Sequence, residues 1–130
     1  MSSIFSKIVA GDIPSFKIAE DDRFLAFLDV FPLAKGHTLV IPKKEIDNIF
    51  DLDSKTYSDL WSFAQKVSKA MNSAIDCERI GVAVIGLEVP HAHIHLIPIN
   101  SVSDIDFSRP KLSFEKEEME EVARKIASFL

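Results

Sequence analysis

Three histidines stand at alternate positions in the run His91-Ala92-His93-Ile94-His95-Leu96-Ile97. In an extended strand, alternate side chains share one face, spaced about 6.6 Å along the chain. Read as a strand, the run aligns three imidazoles in a row and turns Ala92, Ile94 and Leu96 toward an apolar layer. On a helix the same spacing would scatter the rings. The Ile, Leu and Pro content of the run favours the strand. Two chemistries suit such a row. Neutral imidazoles ligate zinc, and then His37 could supply a further ligand and Glu88 a carboxylate. Imidazoles also hold phosphate oxygens as donors, and one of them can attack phosphorus as a nucleophile. In that case the middle ring is best placed to attack, while its neighbours hold oxygens of the phosphoryl and leaving groups. Attack needs a neutral ring nitrogen, oriented by a hydrogen bond to the other ring nitrogen. Flanking rings that are protonated or donate N–H offset the charge that develops.

A row of this kind needs a sheet to carry it and a core behind it. Residues 4–9 read as a short helix, and Gly11-Asp12-Ile13-Pro14 as a turn. Residues 16–19 and 23–30 read as strands around a turn at Glu20-Asp21-Asp22. Residues 32–36 are a loop, and His37-Thr38-Leu39-Val40-Ile41 is a β-rich run stopped by Pro42. From Ser54 to Ile75 the period changes. Tyr57, Leu60, Trp61, Ala64, Val67, Met71, Ala74 and Ile75 recur at three- and four-residue steps, a helical stripe that belongs to the core. Asp53 or Ser54 is its N-cap. Residues 80–89 are apolar and β-branched, residues 90–99 form the histidine strand, and a helix over residues 114–129 with Ser113 as cap closes the chain. Hairpin-like strands with long helices between and after them imply an α+β fold with helices mainly on one face.

The 130 residues, 47% of them hydrophobic, suit one domain spanning 1–130. No run approaches the roughly 20 apolar residues of a membrane helix, and the N-terminus lacks the pattern of a signal peptide. The one cysteine, Cys77, rules out an internal disulfide and a thiol–metal cluster, fits a reducing cytoplasm, and reads as a small, partly buried residue. Fifteen cations against twenty anions, a net charge of −5, argue against sequence-independent binding to long nucleic acid. Glu115, Glu117, Glu118, Glu120 and Glu121 read as a solvated helix face. A small anionic ligand stays allowed, because a few local donors can hold one phosphate.

The triad run resembles the signature of the histidine-triad (HIT) family, His-x-His-x-His followed by two apolar residues. The likeness extends through most of the chain. Residues 4–14 resemble the family's N-terminal segment, residues 23–30 followed by Pro32 its central strand, and Gly36-His37-Thr38-Leu39-Val40-Ile41-Pro42-Lys43-Lys44 its other well-known block. The resemblance implies an antiparallel five-stranded sheet with two main helices, extended across a homodimer. It implies a purine nucleotide or nucleotide conjugate as ligand, with no cofactor. It further implies hydrolysis or transfer at the α-phosphate of a phosphoramidate or dinucleoside polyphosphate, through a nucleotidyl-histidine intermediate on His93. By the same resemblance His95 contacts the phosphate and leaving group, and His91 and His37 form the supporting hydrogen-bond network. Asp29 falls where the family binds ribose hydroxyls, and Ile4, Phe5, Ile8, Phe27 and Val30 fall where it packs side chains on and around the base.

The match departs at one place. Family members commonly carry a glutamine and a hydroxyl just before the triad, both donors to the phosphate. Here the stretch is Gly86-Leu87-Glu88-Val89-Pro90. Leu87 cannot donate, and an inward-facing ionised Glu88 would repel a phosphate. Three outcomes are open: a slow hydrolase, a hydrolase with another leaving group, or a nucleotide-binding protein with little turnover. Glu88 would also suit a cationic leaving group such as an amine. A His-ligated zinc protein is the lesser alternative.

Overall fold

A computed structural model describes residues 2–130. Helix α1 (Ile4–Ala10) is followed by strands β1 (Lys17–Glu20), β2 (Phe24–Leu28) and β3 (Thr38–Pro42), then the long helix α2 (Ser54–Ala74). Strands β4 (Arg79–Ala83) and β5 (Ile94–Ile99) and helix α3 (Lys116–Ala127) complete the chain. Single 3₁₀ turns lie at Ile49–Asp51 and Val102–Ile105. All strand pairs are antiparallel, in the order β1-β2-β3-β5-β4. The five-stranded α+β architecture is the one expected.

Alternation along the strands separates two apolar layers. Phe24, Ala26, Leu28, Val40, Ile94 and Leu96 face α2 and α3. The intervening residues Leu25, Phe27, Leu39 and Ile41 face Phe5 and Ile8 of α1. This is why β2 and β3 are buried along their whole length. The stripe on α2 is core as expected: Leu60, Ala64, Val67, Met71 and Ala74 are buried. The Asp53 carboxylate caps that helix by accepting from the Thr56 amide at 3.2 Å.

Two of the three left-handed glycines shape the elements around the site. Gly11 (φ +84°) takes the left-handed conformation that ends α1. Gly36 (φ +92°) precedes His37, and a Cβ there would collide with the Ile75 side chain.

Several strand ends shift by one or two residues, β2 stopping at Leu28 before Asp29 and Val30, and three elements differ more from the sequence reading. The strand expected over 90–99 begins only at Ile94. Upstream of it the Ala92 amide donates to the Ile46 carbonyl at 2.7 Å, and the His91 amide to Val89 at 2.8 Å, so residues 91–93 leave the β ladder. The strand expected over 80–89 ends at Ala83, which pairs with His95. Past that point the register reaches only Ile94, the first residue of β5, and Gly86 (φ +75°) breaks the extended run. Helix α3 starts at Lys116 with Glu115, not Ser113, at its N-cap.

The inward and outward sets on β5 fix its register. A one-residue slip would drive His95 into the helix-facing core and expel Ile94 and Leu96. Each of these buried side chains contributes about 1.5–3 kcal/mol, so the slip is strongly disfavoured.

Candidate functional site

The four histidines gather on the α1 side of the sheet. His95 is in β5, opposite Leu39 of β3. His91 and His93 lie just before the strand, yet the extended chain keeps the alternation, with Ala92 buried in the helix-facing core. All four rings are buried. Ring centroids of His93 and His95 are 4.9 Å apart, and those of His37 and His95 are 5.2 Å apart. Phe5 stands edge-on to His91 and His93, at 5.8 and 5.1 Å. The row expected from the sequence is therefore present, although only its last member lies in a strand.

Fixed partners assign the protons. The Leu33 amide donates to His37 Nδ1 at 3.0 Å, so that nitrogen is an acceptor and His37 carries its proton on Nε2. His37 Nε2 then donates to His95 Nδ1 at 2.9 Å. The remaining proton of His95 sits on Nε2, a donor available to a ligand. His93 Nδ1 lies 2.7 Å from the His91 carbonyl, which only accepts. His93 therefore protonates Nδ1 and leaves the lone pair on Nε2. His91 donates from Nε2 to the Pro42 carbonyl at 2.7 Å and accepts at Nδ1 from the Ser3 hydroxyl at 2.8 Å.

Electrostatics agrees with neutral rings at His37, His95 and His91. Burial pushes His37 down to about 3, helped by the neighbouring His95. Burial pushes His95 down to about 4, helped by His93 and Lys111. His91 is lowered by burial, against the opposing pull of the Pro42 carbonyl and Glu45. Asp29 follows β2, and its carboxylate accepts from the Phe31 amide at 2.9 Å and lies 3.6 Å from His37 Nε2. Burial raises its pKa, more than the Phe31 bond lowers it.

Asp29, His37 and His95 bring one ligand atom each within 4.8 Å of one another, a spacing that suits a metal ion. The proton assignments oppose that use. A metal on His37 Nε2 would move the proton to Nδ1, facing the Leu33 N–H. The zinc set considered from sequence is not reproduced either, because His91 is turned toward Ser3 and Pro42.

The apolar candidates divide into two groups. Phe5, Ile8 and Phe27 are buried in one cluster, with the Phe5 and Phe27 rings 5.6 Å apart. Ile4 and Val30 are exposed. Leu87 is 89% exposed and Glu88 is exposed, so neither fills the space beside the triad. Glu88 is still close enough for its charge to act on Asp29.

Sequence reasoning missed several parts of the site. Ser3, Ser6 and Glu45 form a small network behind His91: Glu45 accepts from the Ser3 amide and the Ser6 hydroxyl, which draws its pKa down to about 2. Phe107 packs against His95 at 4.8 Å and His37 at 6.3 Å. A lone aromatic in the turn-rich stretch Asp104-Ile105-Asp106-Phe107-Ser108-Arg109-Pro110 was the available signal for this last contact.

Comparison with known proteins gives a consistent result. The HIT domain family model matches residues 10–102. The adenosine 5'-monophosphoramidase of Schizosaccharomyces pombe is 35% identical over 130 residues, covering 98% of each chain. The crystal structure of a Hit-like protein from Bartonella henselae superposes with a TM-score of 0.88 at 36% identity, covering 99% of this chain and 96% of that one. A zinc-bound histidine triad family protein from Mycobacterium smegmatis gives a TM-score of 0.83 at 28% identity, covering 99% and 93%.

Proposed function

This chain belongs to the HIT domain family, and from that premise we propose that it is a nucleotide hydrolase or transferase acting at the α-phosphate of a purine nucleotide conjugate. Two relatives named as adenosine 5'-monophosphoramidases, from Schizosaccharomyces pombe and Saccharomyces cerevisiae, support hydrolase chemistry at the level of the family. The observation that carries the reading to this chain is the proton placement on His93. With Nδ1 donating to the His91 carbonyl, Nε2 holds the lone pair a nucleophile needs.

In the proposed reaction His93 Nε2 attacks the α-phosphorus. The bond to the leaving group breaks with its electron pair, and a nucleotidyl-histidine forms. For a phosphoramidate the departing amine takes up a proton from solvent, while His95 Nε2–H hydrogen-bonds the phosphoryl oxygens and keeps its one ring proton. Water then attacks phosphorus and gives up a proton to solvent; the bond from phosphorus to His93 Nε2 breaks with its electron pair returning to the ring, releasing nucleoside monophosphate and restoring the imidazole. His37 holds His95 in the donating tautomer, and the Ser3–His91 pair fixes the carbonyl that orients His93. Asp29 accepts from ribose hydroxyls, and Phe5, Ile8 and Phe27, with Ile4 and Val30 at the rim, hold the base.

The protein acts as one domain, in the cytoplasm, as a homodimer. Support for the dimer comes from the sheet: β4 is an edge strand whose Val82 is exposed, and Val84 and Ile85 follow it, also exposed. Unpaired edges of this kind invite pairing with a second copy. No described helix is long and apolar enough to cross a membrane.

A second reading, nucleotide binding with little turnover, is favoured by one observation. Leu87 and Glu88 supply no phosphate donor where the family commonly has two, and losing one such donor costs about 10²–10³ in rate. Incubation with an adenosine phosphoramidate separates the readings. The hydrolase reading expects a nucleotidyl adduct on wild type by mass spectrometry and none on His93→Ala, with turnover lost. Turnover that survives in His93→Ala would overturn the mechanism. Tight binding of nucleoside monophosphate with no adduct and no turnover would establish the second reading.

A further inference from the structure

The segment between β5 and α3 folds back across the histidine pocket. Asp106 makes a tight turn, its carboxylate accepting from the Ser108 amide at 2.9 Å and the Ser108 hydroxyl at 2.6 Å. At the other end the Leu112 amide donates to the Pro32 carbonyl at 2.8 Å, next to the residue whose amide fixes His37. Residues 106–112 are thus a strap with a turn set by Asp106 and its far end tied at Pro32, with the half-buried Phe107 ring laid against His95.

Lys111 sits on this strap. Its ammonium lies over the Phe107 ring, 5.6 Å from the centroid, and donates to the Phe107 carbonyl at 2.7 Å and more weakly to the Arg109 carbonyl at 3.5 Å. Among the described residues no carboxylate forms an ion pair with it. Arg109 is engaged elsewhere, by the Ser103 carbonyl and Asp104.

The charge balance of the pocket gives Lys111 its meaning. Asp29 and Glu88 bring negative charge, and His37 and His95 are neutral. An anionic ligand would meet repulsion with no cation to offset it. Lys111 is the cation whose field reaches the pocket: it disfavours protonation of His37 and His95 and favours ionised Asp29. Main-chain carbonyls are also weaker partners for an ammonium than phosphate oxygens. A lysine parked on its own loop, on a flexible four-carbon stem, exchanges them readily.

We propose that Lys111 is a phosphate-binding residue of this pocket, its ammonium moving from the Phe107 and Arg109 carbonyls to the non-bridging oxygens of a bound nucleoside monophosphate. The proposal rests on the nucleotide reading above and deepens it. Cationic charge from the strap takes the place of the donors that Leu87 and Glu88 do not provide.

Calorimetric titration of adenosine and of adenosine monophosphate tests this on wild type, Lys111→Gln and Lys111→Arg. The Gln amide can still donate to the Phe107 carbonyl but carries no charge. Lys111→Gln is expected to weaken the monophosphate about tenfold, roughly 1.4 kcal/mol, and to leave adenosine within about twofold. Its monophosphate affinity also becomes less sensitive to salt, and Lys111→Arg stays within about threefold of wild type. Equal weakening of both ligands would assign Lys111 a purely structural role on the strap and overturn the proposal. Monophosphate binding that is unchanged in Lys111→Gln overturns it too, while the nucleotide reading stands. Wild type that binds neither ligand refutes the nucleotide reading and the proposal together.

Discussion

Acidification should destabilise this fold well before its carboxylates titrate. His37 and His95 are held neutral because burial sets their pKa values at about 3 and about 4, against 6.5 for an ordinary imidazole. The unfolded chain titrates both near 6.5 and so binds more protons than the folded chain in the interval between. Their contribution to stability is whole above pH 6.5 and is lost as pH falls toward 4. The loss has a ceiling of about 1.4 kcal/mol per pH unit for each group. From about pH 6.5 to 4.5 two independent groups would remove about 5 kcal/mol; coupling between the hydrogen-bonded rings and water entry reduce the expectation to about 2–4 kcal/mol. Asp29, with its raised pKa, works in the opposite direction and offsets part of this. Glu45, held at about 2, contributes its loss only at still lower pH. Urea unfolding followed by the fluorescence of the single tryptophan, Trp61, at fixed ionic strength measures the effect. A His37→Asn, His95→Asn double variant should show a much flatter dependence. A wild-type stability that stays level across this window would refute the neutral assignments, and so would a double variant that keeps the full slope.

Two further predictions concern ligand choice and assembly. Asp29→Asn, which keeps the Phe31 amide bond but loses the charge, should weaken nucleoside monophosphate binding about tenfold and erase the preference for ribose over 2′-deoxyribose; an unaltered ribose preference in titrations would reject the ribose role. Val82→Lys with Ile85→Lys, placed at the exposed β4 edge, should convert the proposed dimer to monomer in sedimentation velocity without changing the circular dichroism. A variant that still sediments as a dimer would move the interface elsewhere.

The sequence was most legible where periodicity and burial coincide. The stripe on α2 and the alternation of Ala92, Ile94 and Leu96 against the histidines are both set by one face meeting the core. Element ends were harder. Nothing in the apolar run over 80–89 announces that its pairing partner begins only at Ile94, since pairing is a property of two distant segments. The site's nucleophile candidate was readable, but its orientation was not. That depends on main-chain atoms of Leu33, Pro42 and His91, whose side chains carry no hint of the role. Phe107 and Lys111 were hidden for a similar reason: the strap is aperiodic, and its tie to the distant Pro32 carbonyl is a tertiary contact that no local pattern announces.

The main-chain origin of those orienting contacts has a consequence for how such a pocket can diverge. A mutation replaces side chains but cannot delete a carbonyl, and it deletes an amide proton only by installing proline. The tautomers of His37, His91 and His93 are therefore inherited with the path of the backbone. On the proposed reading, substitutions at exposed positions such as 87 and 88 would retune which anions or leaving groups are accepted while those tautomers stay as they were. Ligand preference and ring tautomer would then occupy separate genetic compartments, so the first is free to drift without disturbing the second.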